Sequence, residues 1–92
     1  DRHPWAPTCT PGYDDTHVRD GNPPVPLDPG YFRDSIRLAL SYNQHDRTPW
    51  LFVCTWSEWH EGSQIEPSSD FANPTIFLEV LHDELDAAGW LP

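Results

Sequence analysis

The stretch Trp50-Leu51-Phe52-Val53-Cys54-Thr55 (WLFVCT, residues 50–55) decides the fold. A continuous run of apolar, aromatic and β-branched residues predicts a strand that is buried on both faces, as strands are in parallel sheets. A shorter segment at residues 5–10 predicts another strand, which ends at the chain-breaking pair Pro11-Gly12. Each strand is followed by a long irregular loop, residues 13–28 and 56–73, and then by a helix. This order predicts a parallel α/β architecture.

Both helices carry recognisable start signals. Asp28-Pro29 places an N-cap residue before a proline at the first helical position, and apolar residues at helical spacing predict a helix over residues 29–42. Asn73-Pro74 repeats the signal, and Gly89 closes the second predicted helix. Both long loops leave the carboxyl ends of strands, where parallel α/β folds place their ligand chemistry.

Composition and charge exclude several classes of function. The 92 residues carry 5 Arg, no Lys and 15 Asp and Glu, for a formal net charge of -10, so nucleic acid and anionic membranes would be repelled. Membrane insertion is not expected, because no apolar run approaches the roughly 18 residues that a membrane helix needs. Cys9 and Cys54 lack zinc-ligand spacing and are expected to be buried thiols, with a single bridge as the minority alternative. No metal or cofactor is expected.

Carboxylates and indoles are concentrated directly after the central strand, in WSEWHEGSQIE at residues 56–66. Glu58 and Glu61 lie three positions apart, with Trp59 and His60 between them. Closely spaced carboxylates in an aromatic pocket are expected to separate their pKa values, which yields one proton donor and one acceptor, as glycosidic bond cleavage requires. Tryptophan faces suit packing against sugar rings. Because carboxylates and tryptophans also form non-catalytic sugar sites, the residues alone leave both functions open.

Two separated motifs carry a resemblance to a known family. SEWHEGSQIEP at residues 57–67 resembles NEWHEGTQIE, the signature of glycoside hydrolase family 99, the endo-α-1,2-mannosidases and endo-α-1,2-mannanases. Upstream, PGYDDTHVR at residues 11–19 resembles the family segment PGYIDTSIR, and the resemblance spans roughly residues 7–85. It implies a (β/α)8 barrel of roughly 250 residues or more. Residues 1–92 would then be the C-terminal portion of the catalytic domain, its last two βα units, without the remainder of the barrel.

The resemblance also implies a mechanism and a set of site residues. Glu58 and Glu61 match the catalytic pair of a retaining hydrolase that works through a 1,2-anhydro-sugar: Glu58 removes the proton of the 2-hydroxyl, and Glu61 protonates the departing oxygen and then deprotonates water. Ser57 stands where the family signature has Asn. The implied substrate-binding residues are Tyr13, Asp15, Arg19, Ser57, Trp59, His60 and Glu66.

The function expected from the resemblance is therefore cleavage of internal α-mannosidic linkages in an oligosaccharide or polysaccharide. Two alternatives remain open: a non-catalytic carbohydrate-binding module, and a polysaccharide-biosynthesis protein with the same barrel. Glu66 is expected either to touch substrate or only to hold the loop. Trp50 and Trp90 are expected to be packing residues, and the isolated chain is expected to be inactive and unstable.

Overall fold

The structure, a computed structural model, describes residues 7–14, 16, 21, 23–46 and 50–92. Its elements are, in chain order, strand β1 (Thr8–Cys9), helix α1 (Pro29–Asp46), strand β2 (Phe52–Val53), a 3-10 turn (Trp59–Glu61) and helix α2 (Ile76–Ala87). The strands pair in parallel, with Thr8 opposite Phe52 and Cys9 opposite Val53. The predicted α/β fold with parallel strands is confirmed.

Helix α1 begins where its capping signal predicts. Asp28 Oδ2 accepts the backbone N–H of Tyr31 at 2.8 Å, and the Asp28 carbonyl accepts that of Phe32 at 2.9 Å. The first bond caps an N–H group that has no backbone partner in the first turn, and the second begins the regular helical hydrogen bonding. The helix continues to Asp46, four residues beyond the predicted end. Its last turn is polar, and backbone hydrogen bonding does not require the apolar spacing on which the prediction depended.

Helix α2 begins at Ile76, two residues later than Asn73-Pro74 predicts. The Asn73 side chain accepts the N–H of Thr75 at 3.2 Å, and the Asn73 carbonyl accepts that of Ile76 at 3.1 Å. The Asn-Pro pair therefore forms a turn that leads into the helix. The predicted glycine closure is confirmed, because Gly89 follows the helix with a positive φ of 79°.

Both strands are shorter and more exposed than predicted. The structure assigns two residues to each strand, and residues 5 and 6 of the first predicted strand lie outside the described residues. Phe52 is 60% exposed and Trp50 is 65% exposed, so the expectations that β2 is buried on both faces and that Trp50 packs are wrong. Trp90 is exposed as well. Among the described residues β2 pairs with β1 alone, so the chain covers only part of its surface.

The core lies between the strand pair and the two helices. Phe77 of α2 contacts Phe32 of α1 and Phe71 of the second loop, with ring centroids 5.9 Å and 5.1 Å apart. The buried apolar residues are Cys9, Phe32, Ile36, Ala39, Leu40, Ile65, Phe77 and Val80. Ile65 belongs to the second long loop, so this core also anchors the loop that carries the glutamates.

Both cysteines are free thiols, so the disulfide alternative is wrong. Cys9 is fully buried, as predicted, and burial raises its pKa to about 11, since the thiolate would lose its hydration. Cys54 is only half-buried.

An ion pair joins the two helices. Glu84 Oε1 of α2 accepts Arg37 Nε at 2.9 Å and lies 2.9 Å from Arg37 Nη2 and 3.5 Å from Arg33 Nε. The carboxylate is buried while both arginines reach the surface, an arrangement that gives a charged group at the helix interface a partner. Neither described helix combines the length and the hydrophobicity that crossing a membrane requires.

Candidate functional site

The loop after β2 is closed by backbone hydrogen bonds at its base. The Thr55 N–H donates to the Ser63 carbonyl at 2.8 Å, and the Thr55 carbonyl accepts the N–H of Ile65 at 2.9 Å. Ser63 and Ile65 are buried, so the segment in which the loop returns, residues 63–65, is packed into the core. Residues 56–62 therefore protrude from a rigid base instead of forming a free loop.

The Thr55 hydroxyl ties the first glutamate to this base. Thr55 Oγ1 accepts the N–H of Glu58 at 3.2 Å and lies 3.1 Å from Ser63 Oγ. Thr55 and Ser63 are not among the site residues that the sequence predicts. The signal was present in Thr55-Trp56-Ser57-Glu58, because a threonine three residues before a glutamate is the spacing of a capping box.

The two glutamates lie at either end of one tight turn. The Glu58 carbonyl accepts the N–H groups of Glu61 and Ser63, both at 3.3 Å, and the 3-10 turn Trp59–Glu61 lies between. Gly62 ends the turn in the left-handed conformation, with φ 56° and ψ 40°. The Glu58 side chain is exposed and that of Glu61 is half-buried, so both carboxylates belong to one small part of the surface.

The loop after β1 meets this turn directly. The Asp14 N–H donates to the Glu61 carbonyl at 2.5 Å. A Cβ on Gly62 would lie only 3.2 Å from Asp14 Cβ and 3.3 Å from Asp14 N, so a glycine permits the close approach of the two loops. The structure thus brings residues 11–14 of the first motif next to the second motif, 57–67, at the carboxyl ends of two parallel strands.

The first loop is folded back on itself behind this contact. Tyr13 and Val25 exchange backbone hydrogen bonds of 2.7 and 2.6 Å in an antiparallel bridge. Asp14 Oδ1 accepts the N–H of Thr16 at 3.0 Å and its hydroxyl at 2.7 Å. Tyr13 is half-buried beside the turn. Two predicted substrate-binding residues, Asp15 and Arg19, lie outside the described residues.

Exposed aromatic and polar side chains lie on the same turn as the glutamates and next to it in sequence. The Trp59 indole N–H donates to Glu66 Oε1, and Trp59 is 42% exposed. Trp56, Ser57 and His60 are also exposed, and the Ser57 carbonyl accepts the N–H of Trp59 at 2.9 Å. These side chains stand exposed on or next to the turn that carries both glutamates, whereas the sequence predicts an aromatic pocket.

No cluster of three or more His, Cys, Asp or Glu side chains within the described part of the chain is arranged to hold a metal ion. One buried polar atom, Gln64 Oε1, has no hydrogen-bond partner there. Leaving such an acceptor unsatisfied costs roughly 1–3 kcal/mol. Two carboxylates on one turn can exchange protons with a ligand, and the exposed indoles of Trp56 and Trp59 offer apolar faces for packing.

Comparison with known proteins identifies related sequences and folds. The chain is 30% identical over 81 residues to the glycoprotein endo-alpha-1,2-mannosidase-like proteins of Mus musculus and Homo sapiens, an alignment that covers 84% of this chain and 17% of each relative. No family model matches the chain. The chain spans about a sixth of the length of these curated relatives.

Solved structures show the same fold. The GH99 endo-alpha-mannosidase from Bacteroides thetaiotaomicron, in complex with BIS-TRIS-propane, superposes with a TM-score of 0.69 at 24% identity over 96% of this chain and 32% of that one. A second structure of that enzyme gives a TM-score of 0.66 at 23% identity over 91% of this chain and 29% of that one. The predicted resemblance to glycoside hydrolase family 99 is confirmed by these relatives and by the shared fold.

Proposed function

We propose that residues 1–92 are the last two βα units of a family 99-type (β/α)8 barrel that cleaves internal α-mannosidic linkages with retention. The observation that carries this proposal is the Asp14–Glu61 hydrogen bond, which joins the two motif-bearing loops. Both loops follow parallel strands, and barrels of this class place their active sites at the carboxyl ends of the strands. We call the polypeptide that would complete this proposed barrel the barrel-length polypeptide.

The proposed chemistry has two proton-transfer steps. Glu58 removes the proton of the substrate 2-hydroxyl, whose oxygen attacks the anomeric carbon while Glu61 protonates the departing glycosidic oxygen. The product of this step is a 1,2-anhydro-sugar. Water then attacks the anomeric carbon, Glu61 takes its proton, and Glu58 returns a proton to the 2-oxygen. No glycosyl-enzyme ester forms, as in other substrate-assisted exceptions to the usual retaining scheme.

The geometry supports the participation of both carboxylates. Glu58 is the more exposed carboxylate and Glu61 the more buried, and the same turn holds both. General acid–base catalysis requires groups held within reach of the atoms that exchange protons, which a turn fixed at both ends provides. The proposed sugar contacts are Tyr13, Asp15, Arg19, Ser57, Trp59 and His60. The proton transfers of this scheme are carried by Glu58, Glu61 and water.

The proposal is tested by replacing the acid. Glu61→Gln in the barrel-length polypeptide should slow hydrolysis of an unactivated α-manno-oligosaccharide by about 10²–10⁴-fold, the usual contribution of a positioned acid or base. Asp86→Asn is the matched control, because Asp86 is an exposed carboxylate on α2, outside the loop. Full activity of Glu61→Gln would overturn the assignment.

The two carboxylates are distinguished with an activated substrate. An aryl α-mannoside with a good leaving group needs little protonation, so Glu61→Gln should still release the aryl group in the first step. Glu58→Gln should not, because the 2-hydroxyl must still be deprotonated. A substrate that lacks the 2-hydroxyl should be inert with the unmodified protein. Equal losses for both variants on the activated substrate would contradict the division of roles.

The exposed indoles of Trp56 and Trp59 also fit a carbohydrate-binding module that does no chemistry. Calorimetry separates this alternative, since binding of α-manno-oligosaccharide without turnover by the barrel-length polypeptide would support the binding module. The polysaccharide-biosynthesis alternative predicts transfer of the sugar to another saccharide in preference to water. Product analysis in the presence of a sugar acceptor separates transfer from hydrolysis.

A further inference from the structure

The hydrogen bond between Trp59 and Glu66 spans the motif loop. The indole Nε1–H of Trp59 donates to Glu66 Oε1, across seven positions of sequence. Trp59 belongs to the 3-10 turn that separates the two glutamates, whereas Glu66 lies at the base of the loop and is half-buried. An indole has a single polar donor, so a carboxylate at that position restricts the rotation of the whole ring.

Backbone hydrogen bonds fix both partners. The Trp59 N–H donates to the Ser57 carbonyl at 2.9 Å, and the Trp59 carbonyl accepts the N–H of Gly62 at 3.2 Å. At the other end, the Glu66 N–H donates to the Trp56 carbonyl at 3.0 Å. The indole is thus held along its polar edge while 42% of the residue stays open to solvent. A charge-assisted bond of this kind is stronger than one between neutral groups.

We propose that Glu66 is a positioning residue that holds the Trp59 indole as a rigid platform for a sugar ring beside Glu58 and Glu61. This inference rests on the proposed function, and it assigns to Glu66 a role that acts through Trp59. Glu66 Oε1 accepts the indole N–H, and Glu66 is half-buried whereas the residues of the turn before it, Trp59 and His60, are exposed. A preorganised ring binds a sugar without first losing its rotational freedom, which is the usual origin of affinity gained by rigidity.

A double-mutant cycle tests the proposal. The parent is the barrel-length polypeptide with Glu61→Gln, whose slowed turnover keeps the substrate intact during a titration, and the measured quantity is its Kd for an α-manno-oligosaccharide by calorimetry. Glu66→Leu removes the acceptor and should weaken binding about tenfold. Glu66→Gln keeps an acceptor oxygen and should remain within about twofold of the parent. Trp59→Phe removes the indole N–H, and adding Glu66→Leu to it should cause no further loss.

A spectroscopic readout reports on the hydrogen bond itself. The Trp59 indole N–H resonance, assigned by its disappearance in Trp59→Phe, should shift and exchange faster in Glu66→Leu but stay near its original position in Glu66→Gln. A merely structural role for Glu66 would not give this pattern of rescue.

The outcomes separate the two proposals. Additive losses in the double variant would show that Glu66 contacts substrate directly and would overturn the positioning role. An unchanged Kd and an unmoved resonance in Glu66→Leu would overturn it as well. Saccharide binding by the parent, combined with no turnover by the unmodified polypeptide, would overturn only the hydrolase function. Failure of the parent to bind saccharide would overturn both.

Discussion

Gly62 is the residue on which the meeting of the two loops depends. Its backbone is left-handed, and a side chain there would press against Asp14, whose N–H bonds to the adjacent Glu61 carbonyl. We therefore expect Gly62→Ala to lower the free energy of unfolding of the barrel-length polypeptide by about 1–2 kcal/mol from the backbone alone, with a further cost from the contact. The change should also reduce hydrolysis, because Glu61 would be displaced.

Gly89→Ala is the matched control for this prediction. Gly89 also has a positive φ, of 79°, but a Cβ there meets nothing within 4 Å. It should therefore show the conformational cost without the steric one and without any effect on activity. Urea unfolding measures the first effect, and hydrolysis of α-manno-oligosaccharide measures the second. Equal losses of unfolding free energy for the two variants would show that the structure accommodates a Cβ beside Asp14 without measurable destabilisation.

Cys9 makes stability depend on pH above neutrality. Burial raises its pKa from the ordinary value near 9.0 to about 11. Between those values the unfolded chain loses the thiol proton while the folded chain retains it, so the free energy of unfolding falls as pH rises. The expected loss is about 2–3 kcal/mol across that window. Below pH 9 the contribution is fully present.

Urea unfolding at pH 8, 9, 10 and 11 measures this dependence, with Cys9→Ala as the comparison. The variant should be less stable at pH 8, because a buried side chain is shortened, yet its stability should fall less steeply toward pH 11. Parallel profiles for the two proteins would refute the role of the thiol. Alkylation provides a second check, since half-buried Cys54 should react in the native state well before Cys9.

The motif residues illustrate what could be predicted at the residue scale. Glu58 and Glu61 were recognised because carboxylates among indoles have no packing explanation, but their catalytic roles stay predictions. Thr55 and Ser63 were missed because a hydroxyl that supports a loop looks like any polar loop residue. The hydrogen bond between Asp14 and Glu61 could not be predicted either. It depends on how the two loops fold against each other, and the residue spacing within each loop does not contain that information.

Between elements, the Glu84 ion pair is the most specific link. Its buried carboxylate on α2 accepts from Arg37 of α1 and lies near Arg33. We expect Glu84→Gln to destabilise the barrel-length polypeptide by about 1 kcal/mol, a modest figure because both arginines are partly exposed and water screens them. The effect should shrink in high salt, because salt weakens the charge–charge attraction that the variant lacks.

Asp86→Asn is the control, since Asp86 is an exposed carboxylate on the same helix. It should change stability by less than about 0.5 kcal/mol. Urea unfolding of both variants at low and high salt distinguishes the two positions. If Glu84→Gln and Asp86→Asn had the same small effect, the ion pair would make no measurable contribution to the free energy of unfolding.

The sequence predicts an element boundary accurately where side chains within one turn of that boundary determine it. The start of α1 follows from the Asp28 cap, which acts within one turn of helix. Its end was missed because polar residues extend the helix through backbone bonds alone. The length of β2 was also overestimated, since an apolar run predicts burial by a sheet while a strand lasts only as long as a partner is hydrogen-bonded beside it. Tertiary pairing, which no local pattern contains, determines that length.

At the scale of the whole molecule, apolar side chains remain uncovered on the strand side. Phe52, Trp50 and Trp56 are exposed around β2, and Leu38 is exposed on α1. A soluble monomer rarely leaves large contiguous apolar surface open to water. The proposed barrel accounts for this exposure, because further strands and helices would pack beside β2 and α1.

Phe52→Thr provides the test of that account. In the barrel-length polypeptide a neighbouring strand and helix would bury the ring, and the change should cost about 3 kcal/mol or more in urea unfolding, as loss of a buried phenylalanine does. In the isolated 92-residue chain Phe52 is largely exposed, so the same change should reduce self-association measured by light scattering. Ile36→Thr in the barrel-length polypeptide is the control, because Ile36 is already fully buried and should be costly. A cost below about 0.5 kcal/mol for Phe52→Thr, with Ile36→Thr costly, would mean that nothing packs on β2 and would contradict the barrel.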